Sequence, residues 1–168
     1  MRLWWIVPLV LLFAACELPA ESDSEPVEPP PGVECQWAEV VSITDGDTIR
    51  VDLEDGEEDQ AVRYIGIDTP EKEGSPDGAE PFGEEATDRN DDLVDGERVC
   101  LERDVSETDR YGRLLRYVWL EDQRLVNLVL VEEGLAETVE FRPDVRRQDD
   151  LDAAEGRARD EGLGIWSE

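Results

Sequence analysis

The chain has 168 residues, which suits one ordinary domain, and a formal net charge of −29 with no histidine. A surface this acidic lacks the basic footprint that nucleic-acid binders normally show. Without imidazole, the chain cannot use a histidine general base, a histidine zinc ligand, or a Ser-His or Cys-His pair. Any catalysis must therefore depend on carboxylates, arginines and a hard metal ion.

The first fifteen residues predict an export signal. Arg2 precedes an apolar run, LWWIVPLVLLFAA, which is shorter than the roughly 20 residues that span a bilayer and suits the core of a signal peptide. The run ends in FAAC, which resembles the lipobox of bacterial lipoproteins, although Phe13 replaces the usual leucine. We expect removal of residues 1–15 and a lipid on Cys16 that anchors the exported protein to a membrane of the cell envelope. A soluble secreted protein is the alternative.

Residues 16–34 predict an acidic tether. They are rich in Pro, Glu and Ser with almost no large apolar residue, so they cannot bury enough surface to fold. The folded domain is then residues 35–168, where 39 acidic residues still outnumber 15 basic ones. An exported domain meets an oxidising compartment, so we expect a disulfide between Cys35 and Cys100, with two buried thiols as the alternative.

Three strands open the folded domain. Residues 36–43 predict the first strand, and residues 48–53 predict the second because their apolar side chains alternate. Residues 61–67 predict the third strand, after a polar turn. The last two strands are close enough in sequence to form a hairpin.

This hairpin brings two acidic turns together. An antiparallel pairing with Leu53 opposite Val62 places Asp47 opposite Asp68. The turns TDGD and DTPE, which carry the two aspartates, then converge at one end of the hairpin. Either motif alone is common turn chemistry, so a functional interpretation depends on their meeting.

The rest of the domain alternates helices and strands. We expect two more strands, at residues 97–103 and 114–120. We also expect three helices, at residues 83–94, at residues 125–133 and beyond Pro143. Gly134 would end the second helix, and the last helix would bury Val145, Leu151, Ala154 and Ala158 on one face. Five short strands with interspersed helices predict an α+β fold, a five-stranded Greek-key barrel of the OB type.

Three carboxylates would crowd the end of the hairpin. If Asp47, Asp68 and Glu71 lie within several ångströms, each is pushed toward its neutral form, and a divalent cation removes that conflict. Oxygen donors favour Ca²⁺ or Mg²⁺ over zinc or copper. The main-chain carbonyl of Thr69 adds a further donor.

Two arginines are candidates for binding phosphate beside such an ion. Arg63 precedes Asp68 in the third strand, and Arg113 follows Gly112 in DRYGR. Guanidinium groups bind phosphate in a bidentate manner and stabilise developing charge. Strict alternation sends Arg63 to the face opposite Asp68, so a bulge near Gly66 would be needed to bring them together. A surface ion pair is the alternative for either arginine.

Six motifs occur in the order found in one enzyme family. DGDT, VRYIGIDTPE, FGEEA, DRYGRLLRYV, VNLVLVEEGLA and the closing GIWSE together resemble the staphylococcal nuclease (thermonuclease) family, and the resemblance covers nearly all of residues 35–168. It implies a five-stranded OB-type barrel with three helices. It also implies a Ca²⁺-dependent phosphodiesterase that acts on DNA and RNA.

The resemblance implies roles for the acidic residues. Asp47, Asp68 and the Thr69 carbonyl match the family's calcium ligands. Glu71 matches the residue that orients or deprotonates the attacking water. Attack on phosphorus would break the bond to the 5′ oxygen and leave a 3′-phosphate.

The resemblance extends to the phosphate-binding and base-binding residues. Arg63 and Arg113 match the phosphate-binding arginines, and Tyr111 matches a tyrosine of the substrate groove. After GLA the family often carries a second tyrosine, where this chain has ETVEFRP. Phe141 could still stack on a base, because stacking requires only a π-face.

Two other functions stay open. One is a non-catalytic OB-type module that binds oligonucleotides or a protein partner at the cell envelope, and the other is a calcium-buffering lipoprotein. The intact DTPE and DRYGR motifs favour the enzyme, whereas the acidic surface favours the module. We expect a monomer. The near absence of lysine further predicts activity in salty surroundings, where screening shortens the repulsion between the protein and a polyanion.

Overall fold

The computed structural model describes residues 28–76 and 78–167. The predicted signal peptide, Cys16 and most of the predicted tether lie outside this range. Residues 28–34 contain no helix or strand, and the first strand begins at Cys35. Within the described range, no helix combines the length and the apolar character needed to cross a membrane.

Five strands close into a barrel, which confirms the predicted OB-type α+β fold. The described residues contain seven strands, β1–β7, at Cys35–Asp45, Thr48–Leu53, Gln60–Tyr64, Ile67–Asp68, Arg98–Glu102, Leu114–Leu120 and Glu137–Thr138. The barrel order is β1-β2-β3-β6-β5, and β3 pairs with β6 in parallel while the other barrel pairs are antiparallel. Strands β4 and β7 form a separate two-stranded ribbon.

Three helices in the described residues cover the barrel, as predicted. They are α1 (Gly83–Val94), α2 (Val126–Glu132) and α3 (Gln148–Glu161), followed by a 3-10 turn at Gly164–Trp166. Helix α1 matches the predicted range at both ends, and Gly134 follows α2 with a φ of +70°.

One predicted core residue is wrong. Leu151, Ala154 and Ala158 of α3 are buried as expected, but Val145 is exposed. It precedes the helix, and its carbonyl accepts a hydrogen bond from the amide of Gln148, the first helical residue.

The register of the β2–β3 hairpin differs from the prediction by four residues. Ile49 rather than Leu53 pairs with Val62, and Thr48 pairs with Arg63. The polar residues 54–59 form the connection, and the ladder resumes at Gln60, which pairs with Val51. A shift of four keeps every side chain on its predicted face, so the alternation of apolar residues could not distinguish the two registers.

The predicted third strand is in fact two strands separated by a turn at Gly66. The chain leaves β3 after Tyr64, and Gly66 has a φ of +82°. The positive φ favours glycine, and a Cβ at that position would also lie 2.5 Å from Leu151 Cδ1, so the Leu151 side chain would have to move. Strand β4 then pairs with β7, and this turn takes the place of the bulge that the sequence required.

A disulfide joins Cys35 of β1 to Cys100 of β5. The two strands are neighbours in the barrel, and the two Cα atoms are 5.0 Å apart. The bond closes the barrel seam between the first strand and a strand that follows 65 positions later.

Candidate active site

A cavity of about 160 Å³ gathers most of the predicted site residues at the end of the barrel where β2 begins and β3 ends. Its lining is predominantly charged and consists of Asp45, Asp47, Arg63, Asp68, Thr69, Pro70, Glu71 and Arg113. The two acidic turns therefore meet, although the hairpin register that predicted the meeting is wrong.

Asp47 lines this cavity and is only 5% exposed. The amide and hydroxyl of Thr69 donate to its Oδ2 at 3.0 and 3.2 Å, and the Thr48 hydroxyl donates to its Oδ1 at 3.1 Å. Gly46 permits this close approach, because a Cβ there would lie 2.7 Å from the Thr69 hydroxyl oxygen. Gly46 therefore allows the TDGD turn to pack directly against the DTPE turn.

Arg63 neutralises two carboxylates at once. Its Nη1 lies 3.0 Å from Asp47 Oδ2, and its Nη2 donates to Asp68 Oδ1 at 2.6 Å. Nη1 also donates to the carbonyls of Tyr64 and Ile67, and the side chain is 7% exposed. The guanidinium is therefore fixed between the ends of β3 and β4.

The negative charge around Asp47 is only partly compensated by Arg63. Burial raises the pKa of the Asp47 carboxyl from 3.8 to about 7, the Arg63 guanidinium opposes this rise, and the charges of Asp45 and Asp68 add to it. A buried carboxylate among other acids is a group that an additional cation would stabilise.

The donor atoms suit a hard ion, but the predicted cluster of three carboxylates does not form. Within the described range, no three Asp, Glu, His or Cys side chains are arranged to hold a metal ion. The physical reason is that the Arg63 guanidinium contacts both Asp47 and Asp68, so these two carboxylates already share one cation. Carboxylate oxygens, completed by main-chain oxygen and water, are the kind of donor that hard divalent cations take.

Glu71 lines the cavity from the loop between β4 and α1 and is half-buried. Its main chain is hydrogen-bonded to Glu80. No described residue donates a hydrogen bond to its carboxylate, so the carboxylate is available to accept a proton or to orient water.

Arg113 is oriented by Asp109, a residue that the sequence analysis missed. Asp109 accepts hydrogen bonds from the amide and the Nε of Arg113 at 3.0 and 2.7 Å and from the Tyr111 amide at 2.8 Å. Burial alone would raise the pKa of Asp109, but these hydrogen bonds outweigh it and hold the pKa below 3.8. The signal was present, since an aspartate that opens the DRYGR turn is placed to accept from amides two to four residues later.

Aromatic rings flank the cavity next to the two arginines. Tyr111 is 69% exposed, and its ring centroid lies 5.6 Å from the Arg113 guanidinium carbon. Phe141 is half-buried, and its ring lies at the same distance from Arg63. Both rings therefore stand where a nucleotide bound to the arginines could stack.

Arg110 is a second residue that the sequence analysis missed. Its guanidinium donates to the Tyr111 hydroxyl at 2.6 Å and lies 4.7 Å from the ring centroid. Of the fourteen arginines in the described range, Arg110 alone has no described carboxylate within 4.0 Å. Its charge is thus available to a ligand at the mouth of the site.

A larger cavity, of about 940 Å³, opens at the opposite end of the barrel, away from these residues. Its buried Arg116 already pairs with Glu107 and bonds Gln36. Both terminal nitrogens of Arg116 are engaged and several other acids line the cavity, so it does not suit a phosphate.

Comparison with known proteins agrees with this geometry. The model of a protein family described as staphylococcal nuclease homologue matches residues 61–168. The thermonuclease of Staphylococcus hyicus is 41% identical over 134 residues, which cover 79% of this chain and 76% of the relative. The thermonuclease of Staphylococcus intermedius is 39% identical over 129 residues, covering 76% and 74%. The SPbeta prophage-derived endonuclease YokF of Bacillus subtilis is 40% identical over 136 residues, covering 77% of this chain and 45% of the relative.

A small OB-type barrel that has carboxylates and guanidinium groups in one cavity, and that is related over most of its length to nucleases, defines a phosphodiester hydrolase that acts on nucleic acid. The chain belongs to the staphylococcal nuclease family.

Proposed function

We propose that this protein is a Ca²⁺-dependent nuclease that cleaves DNA or RNA at the cavity around Asp47. Asp47, Asp68 and the Thr69 carbonyl hold the ion, and Glu71 activates the attacking water. Arg63 and Arg113 bind the phosphate. The observation that carries this proposal is the convergence of all six residues on one cavity of about 160 Å³.

The reaction is a hydrolysis in which the protein supplies a base and positive charge. The oxygen of water bonds to phosphorus, and a proton of that water passes to the Glu71 carboxylate. The bond from phosphorus to the 5′ oxygen breaks, and that oxygen takes up a proton from solvent water to become a hydroxyl, while Glu71 later returns its proton to solvent. The products are a 3′-phosphate end and a 5′-hydroxyl end.

The bound ion would polarise the phosphoryl oxygens. The protein residues have complementary tasks. Arg113, fixed by Asp109 and half-exposed, is placed to stabilise the charge that develops on the leaving oxygen. Arg63 is engaged with Asp47 and Asp68, so it can bind phosphate only when another cation takes over those carboxylates.

The substrate strand is proposed to continue from the scissile phosphate across the aromatic side of the cavity. Tyr111 and Phe141 offer faces on which bases stack. Arg110 offers an unpaired guanidinium beside Tyr111 for a neighbouring phosphate.

Digestion of single-stranded DNA and RNA with Ca²⁺ and with EDTA tests this function. We expect cleavage that requires Ca²⁺, generates 3′-phosphate ends, and falls about 10²- to 10⁴-fold in Glu71→Gln, the range typical of a lost general base. Wild-type protein that binds oligonucleotides but cuts neither substrate would instead favour the non-catalytic module, which the acidic surface supports.

We also propose that the protein acts outside the cytoplasm as a monomer anchored through a lipid on Cys16. The support is the leader sequence and the Cys35–Cys100 disulfide, a bond typical of exported proteins. Mass analysis of the mature N-terminus should find a lipidated Cys16. An unmodified N-terminus at another residue would indicate a soluble secreted protein.

A further inference from the structure

Two glutamates attach the loop that carries Glu71 to helix α1. Residues 69–82 connect β4 to α1, and their described part contains no helix or strand. Glu80 lies near the end of this loop, and Glu84 lies in the first turn of α1. Neither residue lines the cavity around Asp47.

Glu80 forms hydrogen bonds with both the amide and the carbonyl of Glu71. Its Oε2 accepts a hydrogen bond from the Glu71 amide at 3.0 Å, and its own amide donates to the Glu71 carbonyl at 2.8 Å. Two reciprocal bonds fix both the position and the rotation of the Glu71 peptide groups. They also close the loop, because the two residues are nine positions apart.

The start of α1 supports the same loop at two further points. Glu84 Oε1 accepts a hydrogen bond from the Glu73 amide at 2.9 Å. Gly83 lies directly against Glu71, since a Cβ there would be 2.1 Å from the Glu71 carbonyl oxygen. The backbone of Glu71 is therefore held, while its carboxylate has no hydrogen-bond donor among the described residues.

We propose that Glu80 is a positioning residue for the nuclease reaction, which rests on the role of Glu71 proposed above. Glu80 holds the Glu71 peptide groups so that the Glu71 carboxylate meets the attacking water, and it contacts neither the water nor the phosphate. A side chain with no protein partner takes its orientation from its main chain. A misplacement of about 1 Å at a catalytic group lowers the rate roughly 10²-fold.

Single-turnover and steady-state kinetics of Glu80→Ala and Glu80→Gln test this role. Alanine removes the acceptor of the Glu71 amide, so we expect kcat to fall about 10- to 100-fold with KM for DNA changed little. Glutamine keeps an acceptor oxygen at nearly the same reach but has no charge, so we expect it to recover most of the loss. Equal losses in the two variants would overturn the proposal, because they would assign the effect to charge.

Glu85→Ala is the matched control. Glu85 is exposed in the first turn of α1 and bonds neither the Glu71 nor the Glu73 amide, so its replacement removes the same charge from the same region. We expect wild-type kinetics. Thermal melts of all variants check that the rates are measured on folded protein, and a Glu80→Ala loss that follows the fraction unfolded would also overturn the proposal.

Glu80→Ala in a Glu71→Gln background separates this inference from the proposed function. If Glu80 acts through Glu71, its replacement has no further effect on the residual rate of Glu71→Gln, and the two losses are non-additive. A full additional loss would overturn the positioning role while leaving the nuclease intact. Wild-type activity in Glu71→Gln alone would refute the role of Glu71, whereas no cleavage by the wild-type protein would refute the proposed function.

Discussion

Two buried carboxylates in this protein have opposite surroundings. Glu102, on β5, is 1% exposed and accepts hydrogen bonds from Arg147, Arg146 and Trp119 at 2.8 to 3.3 Å. Burial alone would raise its pKa, but these donors outweigh burial and hold the pKa below 4.5. Asp47, buried to a similar degree, has Arg63 as its only arginine partner among the described residues and a pKa raised to about 7.

The ratio of arginines to acids explains the difference. Around Glu102 two guanidinium groups meet two carboxylates, because Arg146 also pairs with Asp104 at 3.4 Å, so the charges are balanced. This network connects β5, β6 and the start of α3. Around Asp47 a single guanidinium meets two carboxylates, with Asp45 adding negative charge. The first arrangement suits stability, and the second suits a site that takes up another cation.

Replacing Arg113 should have a larger effect than a change at Glu102 or in salt concentration, and the effect should be on catalysis. Arg113→Ala removes the positive charge proposed for the leaving oxygen, so we expect kcat to fall about 10²- to 10³-fold. The melting temperature should change little, because the side chain is partly exposed. The control is Arg124→Ala, an exposed arginine paired with Asp122 in a turn, and equal kinetics for the two variants would rule out the assigned role.

Replacing Glu102 should have the complementary effect, on stability. Glu102→Gln removes the charge that receives Arg147 and Arg146, and we expect a loss of about 2 kcal/mol at neutral pH with normal activity of the folded fraction. Because the folded pKa lies below 4.5, the contribution of Glu102 is full above that pH and is lost as the pH falls through the folded value. Urea unfolding at several pH values should show the two proteins converging in acid. A constant difference would argue against a charge effect.

Salt should have the smallest effect. Thirteen of the fourteen arginines in the described range already have acidic partners, so few free cations attract DNA at long range, and the acidic surface repels it. Screening weakens that repulsion. We expect kcat/KM at saturating Ca²⁺ to stay level or rise between about 50 and about 500 mM NaCl. A steep fall would show that attraction by unpaired cations governs binding.

The barrel could be predicted from the sequence because local residue patterns indicate its strands and helices. Alternating apolar residues predicted β2, and the predicted helix at residues 83–94 agrees with α1 at both ends. The register was not readable, since pairing Val62 with Ile49 or with Leu53 places the same side chains on the same faces.

The site depended on contacts that the sequence does not encode locally. Arg63 meets Asp68 because the chain turns at Gly66 and β4 pairs with β7, a strand some seventy residues further along the chain. No sequence pattern near Arg63 indicates that β4 pairs with β7. Only the family resemblance assigned Arg63 to the site. Glu80 was missed for a related reason, because it accepts a hydrogen bond from the main-chain amide of Glu71, nine residues earlier, and no local side-chain pattern reveals such a contact. Asp109 was missed although its position at the start of DRYGR indicates an acceptor for the amides that follow.

Calorimetric titration with Ca²⁺ tests most directly whether the carboxylate excess around Asp47 forms an ion site. We expect one site in the wild-type protein that is lost in Asp47→Ala and retained in Asp149→Ala, which removes an exposed acid of α3. Calcium binding of unchanged strength and stoichiometry in Asp47→Ala would place the ion elsewhere on the acidic surface and contradict the proposed centre.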